Sequence, residues 1–91
     1  MRAGKKVPGG KLLRVEFYCN GAVITSAKIT GDFFLHPEEG LSHLEDALLG
    51  GMRTMQQRLD TAVSEHDLEL IGFSVGDIIE LVQGAFDAVQ S

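Results

Sequence analysis

Apolar residues recur at every second position from Lys11 to Tyr18, with Leu13, Val15 and Phe17 on one side and Leu12, Arg14, Glu16 and Tyr18 on the other. That period predicts a strand with one buried face. A second strand is predicted from Ala22 to about Thr30. The register between them follows from what each alternative would bury. A two-residue turn at Asn20-Gly21 sets Leu13 opposite Lys28 and puts a lysine on the core face. A three-residue loop of Cys19, Asn20 and Gly21, with Gly21 left-handed, instead pairs Phe17 with Val23, Val15 with Thr25 and Leu13 with Ala27, and is the register expected.

Beyond Thr30 the pattern turns helical. Pro37 suits a first helical position, Glu38 and Glu39 favour the helix dipole, and Gly50-Gly51 closes a helix expected to run to Leu49. Leu41, Leu44 and Leu48 form its apolar stripe. Met55, Leu59, Ala62 and Val63 predict a second helix from about Thr54 to His66, and Leu68 to Phe73 reads as a short strand or an extended linker. Ser74 and Asp77 have the spacing of a capping box. A third helix follows, with Val75, Ile78, Ile79, Val82, Ala85, Phe86 and Val89 on one face. The fold class is α+β: an antiparallel hairpin or small sheet packed against about three helices.

Charge divides the chain. Arg2, Lys5, Lys6, Lys11 and Arg14 precede the first carboxylate, whereas from Asp32 onward twelve acidic residues stand against only Arg53 and Arg58. Residues 1–10, with Gly4, Pro8, Gly9 and Gly10, read as a flexible basic arm, and 11–91 as one domain. Such asymmetry points either to a partner or ligand met at the basic end or to a merely solvated, partly disordered N-terminus. A length of 91 residues leaves room for one core. Its apolar runs fall far short of the roughly 20 residues that span a bilayer, so a cytoplasmic protein is expected. A single cysteine, Cys19, builds neither an internal disulfide nor a zinc site.

No catalytic constellation emerges. His36, His43 and His66 show no metal-binding helical spacing, and the helical carboxylates lie opposite the apolar stripes. Gly4 and Gly9 have the interval of a phosphate loop, but Gly10 stands where the lysine belongs and a strand follows where a helix is required. A nucleic-acid module is disfavoured by the acidic body and the lack of a stacking set. Cys19, expected at the hairpin tip, has no neighbouring cation in sequence to activate it. Phe33 and Phe34, adjacent to Asp32, cannot both face one side of a strand, so one ring is either presented to a partner or wedged with its neighbour into the core.

The runs Pro8-Gly9-Gly10-Lys11-Leu12-Leu13-Arg14-Val15, Asn20-Gly21, Ile29-Thr30-Gly31-Asp32-Phe33-Phe34, Pro37-Glu38 and Leu44-Glu45 to Gly50 resemble the C-terminal accessory domain of lipoate-protein ligases. They are most similar to the form that is a separate small subunit in archaea and some bacteria. The resemblance implies a chain that is non-catalytic alone and serves a large catalytic subunit. With ATP, Mg and lipoate, that subunit forms lipoyl-adenylate before the lipoyl group passes to a lysine of a lipoyl carrier domain. The motif does not assign roles. By position, Gly9, Gly10 and Lys11 are the ligand-binding candidates, Lys11 facing phosphate, and Arg14, Asp32, Phe33 and Phe34 the partner-binding ones. The implied fold also resembles sulfur-acceptor and iron-sulfur scaffold proteins of the SufE and NifU kind, which leaves an alternative function: a persulfide acceptor or scaffold using Cys19.

Overall fold

The computed structural model describes residues 1–7, 9 and 11–90, with side chains as far as residue 88. Strands β1 (Arg2–Val7), β2 (Lys11–Asn20), β3 (Val23–Gly31), β4 (Phe34–His36), β5 (Gly50–Gly51) and β6 (Glu69–Ile71) combine with helices α1 (Gly40–Leu48), α2 (Met55–Glu65) and α3 (Val75–Gln90). The main sheet has the order β1-β2-β3-β5, and β4 pairs with β6 in a second, two-stranded sheet. This is the expected α+β architecture, with helices on one face of a small antiparallel sheet.

The basic arm is a correction. Residues 2–7 form an antiparallel strand on β2, from Arg2 opposite Glu16 to Val7 opposite Lys11. Glycine and lysine content obscured it, but Val7 is buried, Ala3 packs against the core and Lys5 reaches α3. The Lys5 ammonium sits 2.8 Å from Asp77 Oδ1 and 3.0 Å from Glu80 Oε2. Asp77 in turn closes the expected capping box, accepting from the Ser74 N–H at 2.9 Å while its own N–H donates to Ser74 Oγ at 3.2 Å.

The hairpin register also differs from expectation. Asn20 pairs with Val23 across a two-residue turn at Gly21 and Ala22, where Gly21 has φ +63°. A bulge then shifts the ladder, so that Cys19 faces Ile24, Tyr18 faces Ser26 and Phe17 faces Ala27. Thr25 is the extra residue, and its hydroxyl donates to the Tyr18 carbonyl at 3.3 Å. The bulge reverses the side-chain parity. Ile24, Ala27 and Ile29 all turn inward, and Val23 stays 47% exposed. A regular strand would have buried Val23 and expelled Ile24, forfeiting about 1.5–3 kcal/mol of burial for that side chain.

Leu13, Val15, Phe17, Ile24 and Ile29 of the sheet pack against Leu44, Leu48, Met55, Leu59, Ile78 and Val82 of the helices. Helix α1 starts at Gly40, not at Pro37, because His36 still belongs to β4 and residues 37–39 form a turn, with the Gly40 N–H donating to the Pro37 carbonyl. The His36–Pro37 peptide bond is cis. At the other end of α1, Arg58 of α2 donates to the carbonyls of Ala47 at 2.8 Å and Leu48 at 3.3 Å, and to the Thr54 hydroxyl. The helix has no basic residue of its own there, so Arg58 satisfies its orphan carbonyls from outside. The Gly50-Gly51 stop doubles as β5 by pairing with Val23 and Ile24.

Candidate functional site

The start of β2, the β3–β4 link and the β6–α3 link converge at one end of the molecule. Gly31 allows the convergence. A Cβ there would lie 2.1 Å from the Leu12 carbonyl oxygen, so only glycine lets the backbones meet. Asp32 fastens them: its N–H donates to the Leu12 carbonyl at 3.1 Å, and its Oδ1 accepts from the Leu12 N–H. The two rings that follow then part, as strand alternation requires. Phe33 turns in against Phe73 with ring centroids 4.3 Å apart, while Phe34 remains 58% exposed.

Lys11 is held beside that exposed ring. Its ammonium lies 5.3 Å from the Phe34 centroid, within cation–π range. Its stem crosses Gly72, which has φ +90° and where a Cβ would sit 2.7 Å from Lys11 Cγ. Directly across from Phe34 in the ladder is Ile71, 38% exposed. The site is therefore a cation on a glycine floor next to a small apolar patch, and among the described residues Lys11 makes no ion pair.

The other candidates are distributed unevenly. Gly9 is exposed with φ +104°, in the link between β1 and β2. Gly10 lies outside the described residues. Arg14 points to the opposite, helix-free face of the sheet and so does not join Lys11. Asp32 spends its side chain within the chain and Phe33 is partly buried, which leaves Phe34 as the aromatic that a partner can reach. Ile71 and Gly72 were missed, since the segment around them carries no motif. Leu44, expected on the apolar stripe of its helix, is fully buried, and Glu45, singled out only by the resemblance, accepts from the Ile29 N–H at 2.8 Å on the open stretch of β3.

Cys19 is not at a hairpin tip. It lies within β2 at the bulge, packed against the core, and burial pushes its thiol above the ordinary value. Sequence spacing also separated His43 and His66, yet their rings stack between α1 and α2 with centroids 3.6 Å apart and planes within 8°. Parallel rings do not converge their lone pairs, and among the described residues no three His, Cys, Asp or Glu side chains are grouped to hold a metal. No helix among them is long and apolar enough to cross a membrane.

Residues 1–82 match the family model described as bacterial lipoate protein ligase C-terminus. The chain belongs to that family. Its fold also matches a chain in the solved structure of an archaeal lipoylation system, described as a bi-partite lipoate protein ligase and its E2 lipoyl domain from Thermoplasma acidophilum. The TM-score is 0.78 and the identity 26%, over 88% of this chain and 90% of that one. No curated protein matches the sequence. The matched residues include β1.

Proposed function

We propose that this chain is the accessory subunit of a bipartite lipoate-protein ligase, required when a large catalytic subunit activates lipoate with ATP to lipoyl-adenylate. The family match across residues 1–82 carries this reading. The surface fits it. In this reading Lys11, held beside an apolar patch, faces the phosphate of an adenylate and stabilises charge that develops there. Phe34 and Ile71 supply the apolar contact to the large subunit, since stable interfaces centre on such residues. ATP, Mg and lipoate are held by the pair, and the lipoyl group then passes to a lysine of a carrier domain. The persulfide alternative finds no support in a Cys19 packed against the core, where burial raises the thiol and so works against a reactive thiolate.

The test is lipoate-dependent exchange of pyrophosphate into ATP, measured with this chain alone, with a large subunit from the same source, and with both. Exchange is expected only, or far faster, when both are present, and Cys19→Ser should preserve it. Equal exchange by the large subunit with and without this chain would sink the proposal.

A further inference from the structure

The helices cover one face of the main sheet and leave the other to solvent. That face carries Arg2 and Lys6 on β1, Arg14 on β2 and Lys28 on β3, all exposed. Glu16 is the one carboxylate that these three strands contain; it sits opposite both Arg2 and Lys28 in the ladder, with its carboxylate 3.6 Å from the Arg2 guanidinium. The remaining twelve of the thirteen carboxylates lie elsewhere, so the molecule is strongly dipolar. At the centre of the face, Gly4 stands opposite Arg14. A Cβ at Gly4 would come 3.1 Å from Arg14 Cγ, so its absence lets the arginine lie across the sheet. The result is a hollow of about 450 Å³ whose lining includes Arg2, Gly4, Arg14, Lys28 and Thr30, with Glu16 as its one carboxylate.

We infer that this basic face docks the carrier domain that the ligase modifies, by pairing with carboxylates on the carrier's surface. The inference rests on the ligase reading above. Two surfaces of contrasting chemistry are available, and their physics assigns them differently. The apolar Phe34 and Ile71 patch suits a lasting subunit contact, whereas a wet, charged face gives fast, salt-sensitive encounter with a substrate that must leave after each turnover. The hollow admits an aspartate or glutamate side chain to Arg14, whose planar fork pairs with a carboxylate in bidentate fashion. Tyr18, 59% exposed, adds an aromatic with a polar tip on the same face.

The experiment uses the reconstituted ligase and an E2 lipoyl domain as acceptor, with adenylation followed in parallel by pyrophosphate exchange. The double variant Arg2→Glu, Lys28→Glu should raise KM for the lipoyl domain about tenfold at low ionic strength, and the gap from the parent should close to about twofold or less near 0.5 M salt. Glu16→Lys should lower KM severalfold. If the variant pair adenylates lipoate and shows the parent KM at low salt, the docking inference is overturned and the ligase reading stands. If the parent pair does not adenylate, the ligase reading fails and takes this inference with it.

Discussion

Replacing Lys5 by methionine tests whether the N-terminal strand is an integral part of the fold. Lys5 and Asp77 have side chains only 22% and 17% exposed, at 2.8 Å, whereas Glu80 at 73% is solvated. A hydrogen bond to a charged group contributes about 1.5–3 kcal/mol, against about 0.2–1 for an exposed ion pair. This pair lies between those limits. A double-mutant cycle of Lys5→Met and Asp77→Asn should therefore return a coupling of about 1–2 kcal/mol, with the loss of the Ser74 cap cancelling between the two arms of the cycle. With a urea slope of about 1 kcal/mol/M for so small a protein, Lys5→Met lowers the midpoint by about 1–2 M, read by circular dichroism.

The pH dependence of that coupling has a definite sign. The hydrogen bond from Lys5 holds the Asp77 carboxyl below its ordinary value of 3.8, so the stabilisation is complete above that value and lost as pH falls through the depressed folded-state pKa. Asp77, and then Glu80, raise Lys5 above its ordinary 10.5, so the same stabilisation persists below 10.5 and is lost as pH rises through the raised pKa. Between the two ordinary values the coupling should be flat. A coupling below about 0.3 kcal/mol at neutral pH, within ordinary surface scatter, would refute the docked strand and restore a swinging basic arm.

Two further substitutions probe the site and its support. Lys11→Ala should slow adenylation by the reconstituted pair roughly ten- to a thousandfold while leaving transfer from pre-made lipoyl-adenylate less affected; an unchanged rate with the complex intact would remove Lys11 from the site. Arg58→Met keeps the stem but unties the α1 carbonyls, and urea unfolding should show a loss of about 1.5–3 kcal/mol. A change under about 0.5 kcal/mol would mean that water caps α1 equally well.

The elements that sequence determined are those whose cause is local. The inward face of β2, the apolar stripes of α1, α2 and α3, and the Ser74–Asp77 box were legible because alternation, helical period and a three-residue capping reach all act within one segment. The Gly31-Asp32-Phe33-Phe34 run was legible as a motif, but not as a lock on Leu12 with one ring inside and one outside. That division needed the backbones of β2 and β6 in place. The remaining features join residues far apart in the chain. Strand β1 is laddered on β2 and tied to α3 by Lys5 finding Asp77, the bulge at Thr25 is set by a core that selects Ile24 over Val23, and the α1 terminus is capped by Arg58. No window of sequence contains both partners of such a contact, so local propensity is silent about it. Only the assembled sheet, with one face packed by helices and the other left open, decided that Lys11 and Arg14 serve opposite surfaces and gathered four scattered cations onto one face.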